Sequence, residues 1–190
     1  MSSTNRGDDR HKYDYYVTPK SEIRKFMNEF KYEISKDDKI LDPCAGGDRV
    51  NDMSYPSVLN EYGFNNLITF DIREDSKAEF KLDYLTSISL DKYDVIITNP
   101  PFNLSMEFLK KALLDVREGG KVVMLLRLNY YGSKTRNEFL RNNMPSQCYV
   151  HGKRLSFTND GKTDSIEYAH FVWTKGLGNK TTELHLLPFE

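Results

Sequence analysis

Cysteine is scarce in this chain. Cys44 and Cys148 are the only two in 190 residues, too few for a disulfide framework or a cysteine-based zinc site, and an intracellular, reducing home fits. The four histidines, His11, His151, His170 and His185, are scattered without metal-ligand spacing, so no metal is expected. No apolar run approaches the roughly 18 residues that span a bilayer, which argues against a membrane partner. The polar stretch of residues 1–12 lacks the apolar core of a secretion signal. It reads as a flexible arm ahead of a single domain over residues 13–190. There is no repeat, no low-complexity tract and no glycine-rich phosphate loop ending in Lys-Ser or Lys-Thr.

Net charge is also nearly absent, at −1. Its distribution is uneven. Between Arg127 and Arg154 lie six bases (Arg127, Lys134, Arg136, Arg141, Lys153, Arg154) against one acid, Glu138. Segregated charge of this kind suits one face for a polyanion, although a charge run by itself is usually a solvated surface.

What is present is an alternation of strands and helices. Thr18-Pro19 reads as a helix start, with Thr as the cap and Pro in the first position. Ile23, Phe26, Met27, Phe30 and Ile34 follow at helical spacing. Strands are expected at 39–42, 66–71, around 80–82, at 93–98 and at 121–126. Pro56 opens a helix that Gly63 closes. Phe108, Leu109, Ala112, Leu113 and Val116 form a helical stripe stopped by Gly119-Gly120. Thr135 and Glu138 can form a capping box. Residues 147–150 and 166–174 read as late strands in a hairpin. The expected fold is a doubly wound α/β sheet with helices on both faces.

Chemistry concentrates at the strand ends, where open α/β sheets bind ligands. The fourth apolar strand runs into Asn99-Pro100-Pro101-Phe102. Two prolines fix the backbone and keep only carbonyl acceptors. An exocyclic amine is a poor nucleophile, because its lone pair is delocalised into the ring. Asn99 and the Pro100 carbonyl can accept its two N–H groups and aim the lone pair at a methyl donor. Phe102 can stack on the base. The first strand runs into Asp42-Pro43-Cys44-Ala45-Gly46-Gly47-Asp48. Its glycines admit close approach by a cofactor, and Asp48 in place of a third glycine argues against a dinucleotide fingerprint. An acid in this loop suits the amino-acid end of a zwitterionic cofactor. Asp71 and Asp83 end the second and third strands and can accept from ribose hydroxyls and adenine N6. Ile72 and Tyr84 offer apolar faces to a purine. Tyr130 and Phe157 sit among basic residues in two loops, which suits unstacked bases. Each of these residues, taken alone, is as often a turn, a cap or core packing.

In order along the chain, several segments resemble the bacteriophage-type DNA adenine-N6 methyltransferases. They are Tyr15 to Pro19, Ile40 to Asp48, Asp71 to Asp75, Asp83 to Leu85, Asn99 to Phe102, Leu126 to Ser133, Arg154 to Thr158, Asp160 to Asp164 and Glu167 to Trp173. The resemblance implies a class I, Rossmann-like methyltransferase sheet of seven strands with the last antiparallel. It also implies S-adenosylmethionine as cofactor, Tyr16 and Thr18 closing its pocket, DNA as substrate and a host-cell cytoplasmic location. The family's usual Phe is Cys44 here. No stretch is long enough for a separate target-recognition domain, so selectivity would come from the basic loops (Arg127, Tyr130, Lys134, Arg136, Lys153, Arg154, Phe157), a second subunit or an accessory partner. RNA adenine-N6 methylation is the neighbouring enzyme reading. A non-catalytic cofactor- or DNA-binding subunit is the alternative from another class.

Overall fold

The computed structural model describes residues 16–157, 163–178 and 180–190. The expected arm at residues 1–12 lies outside them, as do residues 160–162 of the Asp160 to Asp164 segment. Eight strands form one sheet in the order β3-β2-β1-β4-β5-β7-β6-β8. The strands are β1 Ile40–Asp42, β2 Leu67–Asp71, β3 Phe80–Lys81, β4 Tyr93–Thr98, β5 Val116–Arg127, β6 Gln147–Val150, β7 Tyr168–Thr174 and β8 Glu183–Leu186. Pairing is parallel from β3 through β5. Strand β7 then inserts antiparallel to both β5 and β6.

Helices α1 (Lys20–Phe30), α2 (Ser54–Glu61), α3 (Ser105–Asp115) and α4 (Lys134–Asn142) cover the sheet. The strand period of two divides the core into two layers. Val95 and Ile97 of β4 pack under α1 and α2 with Ile23, Phe26, Phe30, Val58 and Leu59. Ile96, between them, points the other way and packs with Phe108, Leu109 and Ala112 of α3 and Leu140 of α4. Strands buried on both faces read as continuous apolar runs rather than alternating ones, which is why 93–98 and 121–126 stand out in the sequence.

Several boundaries differ from the sequence reading. Pro19 is the residue before helix α1, not its first residue, and Thr18 makes no cap. The helix ends at Phe30, so Ile34 falls beyond it. The α3 stripe ends at Asp115, because Val116 is already extended at φ −80° and ψ 148°. Gly119-Gly120 therefore does not stop a helix. It serves an irregularity inside β5, where the register against β4 shifts between Tyr93 and Val95. A Cβ at Gly120 would fall 2.5 Å from Val116 Cγ2 and 2.8 Å from the Asp94 carbonyl, so only glycine fits. Ser133, not Thr135, occupies the N-cap position of α4, and its hydroxyl bonds that of Thr135 at 2.9 Å. Strands β6 and β7 do pair antiparallel, but the long segment 151–167 joins them rather than a tight hairpin. The eighth strand, β8, went unpredicted. It pairs parallel with β6 at the sheet edge, and Glu183, Leu184 and Leu186 are exposed. It is held through its backbone, so no apolar pattern announces it. Among the described residues no helix is long and apolar enough to cross a membrane.

Candidate functional site

At the C-terminal ends of β1, β2 and β4 the chain opens into a cleft of about 750 Å³, within the usual size of small-molecule sites. Most of the residues singled out from sequence line it. Tyr16, Thr18, Pro43, Cys44, Gly46, Asp71, Ile72, Asp83, Tyr84, Arg127 and all of Asn99 to Phe102 contribute to the wall. Segments separated by more than 80 residues are thus brought together by the parallel sheet.

Asn99 follows the last residue of β4. Its Nδ2 donates to Thr18 Oγ1 at 3.0 Å. Its Oδ1 is buried with no hydrogen-bond partner, which is costly for an acceptor unless a ligand supplies the donor. Pro101 leads into a 3-10 turn, Phe102–Leu104, and its carbonyl accepts from Leu104 N–H at 3.0 Å. Phe102 is half-buried. Its ring lies 5.7 Å from Tyr168, and the Arg127 guanidinium lies over its face at 4.9 Å. Arg127 Nε donates to the Tyr168 hydroxyl at 3.3 Å, which donates to Asp164 at 2.6 Å. This Arg127-Tyr168-Asp164 chain has no local sequence signature, since it links β5 to β7 and the loop before it.

On the opposite side, Asp71 Oδ2 accepts from Gly46 N–H at 2.8 Å, and Oδ1 accepts from Arg73 N–H at 2.8 Å. Buried Arg73 also ion-pairs with Asp71 at 3.3 Å and donates to the Gly47 carbonyl at 2.8 Å. It fastens the first loop to the second, a role not read from sequence. Gly47 has φ +75°, and a Cβ there would meet Lys77 Cβ at 2.9 Å. Asp83 caps its own turn through Leu85 N–H at 2.9 Å. Ile72 is exposed and offers the apolar face expected of it. Tyr84, though in the cleft wall, is only 2% exposed, with Phe108 and Lys111 packed on its ring.

Asp42 lies beneath the cleft rather than among its lining residues. Oδ1 accepts from Cys44 N–H at 3.1 Å, and the Thr98 hydroxyl also bonds the carboxyl. Burial pushes its carboxyl up to about 7, against hydrogen bonds from the Thr98 hydroxyl and Cys44 N–H that pull it down; the Asp71 charge adds least. Burial and the surrounding acids also push the Cys44 thiol well up, keeping it a neutral, poorly nucleophilic group.

The basic segment is less open than its composition suggests. Tyr130 is 5% exposed, with Arg136 over its ring at 4.4 Å and bonded to its carbonyl at 2.8 Å. It is a core residue and presents no face to a base. Lys153 pairs with buried Glu22 at 3.3 Å, and Arg154 with Glu167 at 3.1 Å. Phe157 packs against Tyr168 and Tyr16. Lys134 and Arg141 on α4 are exposed, as are Lys153 and Arg154 despite their ion pairs. Among the described residues no cluster could hold a metal ion.

No protein-family model matches the chain, and no curated relative does. Solved structures match over most of it. A Listeria monocytogenes protein assigned to the class I S-adenosylmethionine-dependent methyltransferases is 16% identical, with TM-score 0.64, over 90% of this chain and 65% of its own. The M protein of the type I restriction enzyme EcoKI, of activity class EC 2.1.1.72, is 16% identical, with TM-score 0.60, over 88% of this chain and 46% of its own. A Lactococcus lactis protein described as a hemolysin is 10% identical, with TM-score 0.62, over 90% and 93%. The chain has the class I methyltransferase fold. It spans less than two thirds of the first two neighbours, and at these identities the likeness establishes the fold alone.

Proposed function

We propose that this chain is an S-adenosylmethionine-dependent methyltransferase acting on the N6 amine of adenine in DNA. One observation carries the reading. A buried, unpartnered acceptor, Asn99 Oδ1, stands in the cleft wall at the head of Asn-Pro-Pro-Phe. An acceptor with no protein donor fits an incoming N–H group. The fold, shared with a class I S-adenosylmethionine-dependent neighbour and with the M protein of a type I restriction enzyme, supports it.

In this reading the Gly46-Gly47 loop, Asp71, Ile72 and Asp83 hold the methyl donor, with Tyr16, Thr18, Pro43 and Cys44 closing over it. S-adenosylmethionine supplies an electrophilic methyl group on a sulfonium. Asn99 Oδ1 and the Pro100 carbonyl accept from the adenine amine and turn its lone pair toward that methyl. The same acceptors favour the positive charge that develops on nitrogen, and the surplus proton leaves to water. Phe102 stacks on the flipped base, which displaces or slides against the Arg127 guanidinium. Residues 13–190 form the catalytic unit. Exposed α4 charges and a partner subunit supply the rest of the nucleic-acid contact.

The test is transfer of labelled methyl to duplex DNA, single-stranded DNA and RNA, followed by nucleoside analysis. N6-methyladenine in DNA is expected. N6-methyladenine confined to RNA would move the substrate assignment. A 5-methylcytosine product, or no transfer to any of the three, would overturn the reading.

A further inference from the structure

Arg127 is held differently from most of the other arginines. Arg24, Arg73, Arg117 and Arg154 each pair with a carboxylate, and Arg136 bonds a carbonyl. Arg127 is half-buried in the cleft wall. Its guanidinium lies over the Phe102 ring, with Cζ 4.9 Å from the centroid. Among the described residues no acid pairs with it, and its only hydrogen bond runs from Nε to the Tyr168 hydroxyl at 3.3 Å. Both terminal NH2 groups are left without a protein acceptor there.

The ring beneath is backed on one side by Leu125, Leu155 and Tyr168, none of which lines the cleft. Arg127 does line it, so the guanidinium covers the cleft side of Phe102. A guanidinium is planar and delocalised, and it stacks on a ring much as a nucleobase does. Its plane is set from behind. Tyr168 faces Arg127 across the β5–β7 ladder. A carboxylate only accepts, and a phenol has one proton to give. Tyr168 gives it to Asp164 at 2.6 Å, so its oxygen accepts from Arg127 Nε.

We propose that Arg127 is a specificity-determining residue that stands in for the target base on Phe102 and yields the place only to a base joined to a phosphate. Tyr168 and Asp164 are positioning residues that hold it there. This rests on the base-site reading above and adds a requirement on the substrate. A strand brings its phosphates to the cleft with the flipped base, and the two NH2 groups fit phosphate oxygens as a fork. The guanidinium then exchanges the ring for an anion. A neutral nucleoside, or a neutral amide side chain, displaces it with nothing in exchange. The site therefore favours a nucleotide within a strand over a free nucleoside.

Fluorescence titrations test it with two probes: 2-aminopurine riboside, which is neutral, and a single-stranded trinucleotide with 2-aminopurine at its centre. The chain is first saturated with S-adenosylhomocysteine, so that neither probe enters the donor pocket. Arg127→Ala uncovers the ring and removes the phosphate contact. It should bind the nucleoside about threefold to tenfold more tightly, the scale of one cation–π contact. It should bind the trinucleotide about tenfold more weakly, the scale of one charge-assisted hydrogen bond. Opposite signs are the point of the test, because a damaged pocket loses both probes. Tyr168→Phe keeps the buried ring, drops the anchor and should raise nucleoside affinity by a smaller factor. Parallel loss of both probes in Arg127→Ala, or a nucleoside affinity unchanged in both variants, would overturn the proposal. Should Arg127→Ala lose its cooperative melt, Tyr168→Phe decides alone. If wild type and both variants bind S-adenosylhomocysteine but neither probe, the base site itself is removed, which separates that failure from this one.

Discussion

The two sides of the cleft differ in how their polar atoms are engaged. On the β1–β2 side, Asp71, Arg73, Gly46 and Gly47 bond one another, and Asp83 closes its own turn. On the β4 side, Asn99 Oδ1 is buried without a partner. The first side is assembled before a ligand arrives, and binding there costs little reorganisation. The second keeps an open valence, as expected of a group that acts on a reacting atom. The contrast separates holding from chemistry, and each side can be perturbed alone.

The largest effect is expected from the open side. Asn99→Ala removes the acceptor and frees Thr18 Oγ1 of its donor. Methyl transfer should fall by about 10²–10³, while cofactor affinity, set on the other side, changes little. Phe102→Ala should weaken transfer by about 1–3 kcal/mol of lost stacking, and Phe102→Trp by less. Single-turnover transfer beside calorimetric binding checks both. Equal losses of affinity and rate in Asn99→Ala would erase the distinction between the two sides.

The assembled side should respond differently. Asp71→Ala strands the buried N–H groups of Gly46 and Arg73, at about 1–3 kcal/mol for each. Thermal stability and cofactor affinity should drop together, since one carboxylate serves both loops. A variant that loses affinity with an unchanged melting temperature would mean the loops stand without it.

Asp42 is the exception on the assembled side, and it sharpens the comparison through pH. Burial raises its carboxyl to about 7 in the fold, against about 3.9 in an unfolded chain. A raised value means that the protonated form is the one folding favours. Its stabilising contribution is complete below pH 4, fades as pH rises toward 7, and is gone above that. Asp42→Asn removes this loss and can still accept from Cys44 N–H. The gain in melting temperature over wild type should be near zero at pH 4 and greatest above pH 7. A gain independent of pH would place the ionisation elsewhere.

How much of this was legible in the sequence follows from the physics of each part. Strands β1 and β4 and their terminal residues were readable, because parallel strands buried on both faces are apolar runs that end abruptly on polar residues; β2, half-buried, still ends its apolar run on Asp71. Asn99 to Phe102 was readable because its chemistry is local. The buried hydrogen-bonded relay of Glu22, His151, His170 and Tyr55 was not. Its members lie up to 148 residues apart, and four histidines without metal spacing looked inert. One clue was present: His170 sits inside Tyr168–Thr174, a strand buried on both faces, where a histidine needs a partner. Tyr130 was misread for the converse reason. An aromatic among arginines looks like a stacking platform, but a guanidinium can as well cover a core ring.

The smallest effect is expected outside the cleft lining, on α4, where composition suggested a broad basic face and four of its six bases are exposed. Arg136 is committed to Tyr130, and Lys153 and Arg154 to carboxylates. Reversing Arg136 would disturb the core, so it is a poor probe. Lys134 and Arg141 are exposed, and Lys134→Glu with Arg141→Glu changes charge without touching the cleft. If α4 meets phosphates, the pair should weaken nucleic-acid binding modestly, and the slope of log K against log salt should shrink by about one per lost phosphate contact. Cofactor affinity and the melting temperature should stay as in wild type. Titrations of labelled DNA at three salt concentrations read the slope directly. An unchanged slope would move the polyanion contact off this helix, toward Arg127 at the cleft mouth or a partner subunit.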